Sequence, residues 1–201
     1  MKVTRIQARL AFPNIFNMST VQGSEGSKPS YSCTLLVEPG SDSDKRIQAA
    51  LKEVAQAKWG EQWQTVFKTL KSQDRIAYRD GNTKLDRDGN VQQGFADMKA
   101  MSCRSYQKLM IIDRDGTTVL NEEDGRPYGG CYVSASIDIW AQQSSQWGRR
   151  LNCKILGLQF VKDGDAFAAG APATIDDFDQ LDDPDDTGFE GDAGGDADDL
   201  I

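Results

Sequence analysis

Apolar and polar positions alternate along most of this chain, and the period changes only once. In GCYVSASIDIWA, residues 130–141, Cys131, Val133, Ala135, Ile137 and Ile139 fall on one side. Tyr132, Ser134, Ser136, Asp138 and Trp140 fall on the other. A period of two sustained this long predicts a strand with one face in a core. YSCTLLV, 31–37, alternates in the same way. Further strands are predicted over 2–12, 75–79, 98–106, 108–113 and 150–162. Residues 13–30, rich in Gly, Ser and Pro, read as a long polar loop.

Between 41 and 72 the period becomes helical. Ile47, Leu51, Val54 and Ala55 form one apolar stripe, and Trp63, Val66, Phe67 and Leu70 form a second. Ser41 or Ser43 supplies the N-cap, Gly60 divides the segment into two helices, and Trp59 and Trp63 read as core contacts. Asp-Gly occurs at 80–81, 88–89, 115–116, 124–125 and 163–164, each a hairpin signal because both residues tolerate positive φ. About seven strands with one helical insertion predict a mainly β fold, a small antiparallel barrel.

Charge divides the chain at Gly170. Residues 171–201 carry 12 of its 31 acids and none of its 23 bases, which leaves a body, 1–170, of net charge +4. The acidic stretch has too little apolar content to fold alone and reads as a disordered tail, with Ile175, Phe178, Leu181, Phe189, Leu200 and Ile201 spaced along it. A basic body with an acidic tail points to nucleic acid for the body and an interaction role for the tail. The chain has no histidine, which removes Ser-His and Cys-His pairs and histidine metal ligands. Cys33, Cys103, Cys131 and Cys153 are far apart and read as reduced, buried strand residues. No apolar run reaches membrane-spanning length, and the N-terminus lacks the apolar region of a signal peptide, so a cytoplasmic protein without a membrane partner is expected.

Candidate chemistry concentrates on the polar strand faces. Tyr132 and Trp140 share one, and bases can stack on such rings while cations neutralise phosphates. The competing reading is that the helices cover these rings. Ten bases lie between Lys68 and Arg114, with Tyr78 and Tyr106 among them. The residues expected to contact nucleic acid are Tyr78, Arg79, Arg104, Tyr106, Lys108, Tyr132, Trp140, Arg149, Arg150 and Lys154. LDRDGN, 85–90, resembles a calcium loop but lacks its sixth-position glycine and twelfth-position glutamate. Asp113, Asp115 and Asp138 could supply carboxylates for a magnesium nuclease, but no pattern supports that reading.

PYGGCYVSASIDIWA (127–141), GRRLNCKILGLQFVKDGDAF (148–167) and YSCTLLVEPGSD (31–42), together with the acidic tail, resemble a phage-encoded single-stranded DNA-binding family. The resemblance implies an OB-fold barrel and sequence-independent binding of single-stranded DNA in phage replication, recombination or repair. It also implies no enzymatic activity, no metal or other cofactor, and the host cytoplasm. Replication or recombination proteins would be recruited through the tail, and a homo-oligomer stays open. Many such tails end in Phe, whereas this one ends in Asp198, Asp199, Leu200 and Ile201. With Asp196, these residues are the expected partner-binding end, and the acids are expected to compete with DNA for the body's groove. The alternative reading is a protein-interaction adaptor or nucleic-acid mimic that acts through the tail.

Overall fold

The computed structural model describes residues 1–20 and 28–167. Seven strands and two helices follow one another as β1 (Lys2–Ser19), β2 (Ser30–Val37), α1 (Asp42–Trp59), α2 (Trp63–Ser72), β3 (Tyr78–Asp80), β4 (Lys99–Ser105), β5 (Met110–Ile112), β6 (Tyr132–Ser144) and β7 (Gly148–Lys162). Five of the strands close a barrel in the order β1–β2–β4–β7–β6 and back to β1. Within the barrel the pairings are antiparallel except the seam between β4 and β7, which is parallel at Arg104 and Lys154; β5 also runs parallel to β7. This is a five-stranded OB-type barrel, the fold that the family resemblance implied, with one parallel seam where an antiparallel barrel was expected. β3 extends the sheet beyond β4, and β5 extends it beyond β7.

The alternation that predicts β6 sets its packing. Val133, Ala135, Ile137 and Ile139 are buried inside the barrel with Ile6, Leu10, Leu35, Met101, Leu151 and Ile155. All four cysteines are free and buried, as their apolar setting predicted. No helix among the described residues is long and apolar enough to cross a membrane.

The helical insertion begins where expected. The Ser41 Oγ caps α1 by accepting the Asp44 N–H at 3.2 Å, and Asp42 and Asp44 lie in the positive first turn. Ile47, Ala50, Leu51 and Ala55 bury the inner side of α1, and Val66 and Leu70 that of α2. Gly60, at φ +53, ends α1 in a conformation that costs glycine little.

Two expectations are corrected. Residues 13–19 are not loop, because β1 continues through them to Ser19. Pro13 sits in a register shift between Ala11 and Asn14, where the ladder needs no N–H. Ile15 turns inward, and Asn17 Nδ2 donates to Glu122 Oε2 at 2.6 Å, so a polar-looking stretch still has one buried side. The Asp-Gly pairs also do not all turn hairpins. Asp88-Gly89 and Asp115-Gly116 lie between antiparallel bridge partners. Asp80-Gly81 opens a 3₁₀ turn, Asp124-Gly125 closes another, and Asp163-Gly164 follows β7. The longest hairpin, β6–β7, turns instead through residues 145–147, with Gly148 at φ +68 supplying the left-handed position.

Candidate nucleic-acid interface

The barrel's outer surface is read by the same alternation as its core. Ser32 and Thr34 face outward from β2, opposite Arg104 and Ser102 of β4. Across the seam Arg104 lies beside Lys154, and next to Lys154 on β6 lies Asp138. Three small hydroxyl side chains thus form a low floor with two cations along one side. Toward the β6–β7 turn, Asn152 and Arg150 continue the outer row of β7.

Little inside the protein competes for these cations. Lys154 Nζ donates to the neutral Gln107 Oε1 at 2.6 Å. Among the described residues, Arg104, Lys108, Arg149 and Arg150 take part in no ion pair. Tyr106, 59% exposed, follows the end of β4 and lies near Arg104 in the chain. The face can therefore hold a chain of phosphates and offer a ring for a base.

Other expected residues lie elsewhere. The Tyr78 hydroxyl donates to Asp44 Oδ1 at 2.8 Å, and burial and that carboxylate push its ionisation far above the ordinary range. Burial opposes the charge on Asp44, yet hydrogen bonds from Gln48, the Gly40 N–H and Tyr78 hold its carboxyl below the usual value. Arg79 pairs with Asp74 at 2.6 Å and also donates to the carbonyls of Ile76 and Asp74. Tyr78 and Arg79 line a groove between α1, α2 and β3. Arg149 lines a second groove, against Thr65, Thr69 and Gln73 of the helical side.

The two rings of β6 do not form one platform. Trp140 lies beside Val54, Ala57 and Lys58 of α1 and is still 43% exposed. Tyr132, at the other end of the strand, lies under two cations, Lys162 Nζ at 4.5 Å and the Arg9 guanidinium at 5.4 Å. Arg9 also lies 4.6 Å from the Phe167 ring and donates to the carbonyls of Gly130 and Asp165. The backbone of 163–167 passes so close to Gly130 that a Cβ there would collide with the Asp165 carbonyl oxygen.

The carboxylates weighed for metal have internal tasks. Asp86 Oδ1 accepts the N–H groups of Asp88 and Asn90. Asp113 pairs with Arg126, Asp138 with the N-terminal ammonium, and Asp115 accepts from Thr117 and Thr118. No group of three or more ligating side chains suited to a metal ion occurs among the described residues. The tail residues Asp196, Asp198, Asp199, Leu200 and Ile201 lie outside the described residues.

Sequence reasoning passed over Phe12 and the floor of Ser32, Thr34 and Ser102, and counted Lys84 only among the ten bases between Lys68 and Arg114. The hydroxyl floor was readable as the polar half of each strand's alternation. The position of Phe12 depends on a backbone turn that no periodicity reveals.

Comparison with known proteins gives a consistent picture. The family model described as the Enterobacter phage Enc34 ssDNA-binding protein matches residues 1–188. The chain is 32% identical over 185 residues to putative protein p50 of Acyrthosiphon pisum secondary endosymbiont phage 1, covering 90% of this chain and 94% of that one. The structure of the bacteriophage Enc34 single-stranded DNA-binding protein in complex with ssDNA superposes with a TM-score of 0.64. That match has 20% identity and covers 83% of this chain and 88% of the other. Gp2.5, a single-stranded DNA-binding protein encoded by bacteriophage T7, superposes with a TM-score of 0.53 at 10% identity, over 86% of this chain and 98% of that one.

Proposed function

The chain belongs to the family of the Enterobacter phage Enc34 ssDNA-binding protein, and from that premise we propose that it captures single-stranded DNA, without reading sequence, on the outer face of β2, β4 and β7. The observation that carries this placement is the pair Arg104 and Lys154, set side by side across the seam above the hydroxyl floor. Cations in this position neutralise successive phosphates, and the low floor lets the backbone approach. Tyr106 supplies a ring that every base can use, since each has a π-face. No donor or acceptor array for one base is required, so the capture is not sequence-specific.

The work fits phage DNA replication, recombination or repair in the host cytoplasm, with no catalytic step and no cofactor. The body is residues 1–170, and the acidic tail, 171–201, competes with DNA for the basic face. Asp196, Asp198, Asp199, Leu200 and Ile201 form its recruiting end for replication or recombination proteins.

Titration of labelled oligo-dT at two salt concentrations, with full-length protein and with residues 171–201 removed, tests both parts. Binding should weaken with salt at a slope of about −0.7 per phosphate neutralised, and tail removal should tighten it. No binding by the tail-less form at low salt would overturn the proposal. Unchanged affinity on tail removal would overturn the competition alone.

A further inference from the structure

Phe12 combines three features that packing alone does not explain. Its φ is +48, a conformation in which a bulky side chain is a rare outlier. The next residue is Pro13, and a residue before proline is driven toward extended backbone, so two preferences are opposed at one position. The ring is also 47% exposed. Backbone strain of this kind persists where the surrounding structure enforces it, and it clusters at functional positions.

The cause of the geometry lies in β1. Ala11 pairs with Thr34 and Asn14 with Ser32, so Phe12 and Pro13 occupy the register shift between those pairs. The Phe12 ring is left exposed at this shift, one residue along β1 from Ala11, whose partner Thr34 belongs to the hydroxyl floor. There it meets Phe95 with ring centroids 5.5 Å apart and planes inclined by 37°. Phe95 is itself buried in a small outer core with Ala11, Leu36 and Ala100. Lys84 Nζ stands 5.8 Å from the Phe12 ring centre and has no ion-pair partner among the described residues. A ring with a rigid support below and a free cation beside it can hold one nucleotide, the base on the ring and the phosphate on the ammonium.

We propose that Phe12 is a base-stacking residue for single-stranded DNA, with Lys84 as its phosphate partner, at the β1 border of the face described above. This rests on the proposed function. A residue serving only to cover Phe95 would not need an exposed ring on a backbone suited to glycine.

The test uses the full chain and labelled oligo-dT. Phe12→Gly removes the ring and relieves the positive φ. It should bind about 5- to 150-fold more weakly while melting no lower than the parent. Phe12→Trp should keep affinity, and its emission should fall on binding by more than that of the parent's own tryptophans. Lys84→Ala should lower the salt slope by about 0.7. If Phe12→Gly binds like a binding-competent parent, the stacking role is overturned. If Phe12→Gly loses its fold, Phe12→Trp decides, and no added quenching overturns the role. If the parent itself does not bind oligo-dT, the proposed function fails together with it.

Discussion

Arg79 and Arg104 belong to adjacent strands, and a count of charges would treat them alike. The three residues of β3, Tyr78, Arg79 and Asp80, all have partners. Arg79 holds Asp74, Lys99 holds Asp80 at 3.0 Å, and Tyr78 holds Asp44. On the β4–β7 side, neither Arg104 nor Lys154 has an ion pair among the described residues, and Lys154 Nζ donates to a neutral amide. A cation already paired must give up its partner before it can take a phosphate, and an unpaired one gives up only water. The difference lies in what each cation already holds, more than in how many there are.

The largest expected effect tests the free side. Replacing both Arg104 and Lys154 by alanine should weaken oligo-dT binding about 50- to 100-fold at 50 mM salt and lower the salt slope by about 1.4. The measurement is a fluorescence titration at several salt concentrations, and an unchanged slope would erase the contrast between the two regions. Next comes the most buried anchor of the paired side. Asp44→Asn should cost about 1–3 kcal/mol of stability at neutral pH and leave DNA affinity unchanged. Because the folded pKa of Asp44 is depressed, its contribution is present above the ordinary carboxylate value near 3.9 and is lost as pH falls through the folded value. The stability gap between parent and variant should therefore narrow below about pH 4, as urea melts across pH would reveal. Arg79→Ala should give the smallest change, at most about 1 kcal/mol in stability, since its pair with Asp74 is largely exposed. DNA affinity should stay within about twofold of the parent if DNA lies on the unpaired side, as proposed.

How much of this was legible in the sequence depends on the distance over which each feature is determined. The Ser41 cap, the Gly60 break and the two apolar stripes are set within a few residues, and the structure has all of them. The buried face of β6 was legible for the same reason. The register of β1 with β2 was not, because a single shift near Pro13 decides which polar residues face a partner strand. The neighbourhood of Arg104 and Lys154 depends on barrel closure between residues fifty positions apart, so both could be named but not placed together. Tyr132 and Trp140 were named as a pair from their shared face. Strand length separates them, and each has a different local environment.

The strand β1 also sets a schedule. Lys2 finds its partner in Asp138, and the barrel closes only through β7, which ends at Lys162. At 5–20 residues per second, about 7–27 s pass between synthesis of the first strand and synthesis of the residues it pairs with. During that interval β1 and β2 can form a hairpin, but the β6-facing edge of β1 stays open. β1 is thus made before the other described strands and is among the last of them sheltered. Crowding of nascent chains is then a condition under which the open edge of β1 is exposed to edge-to-edge association.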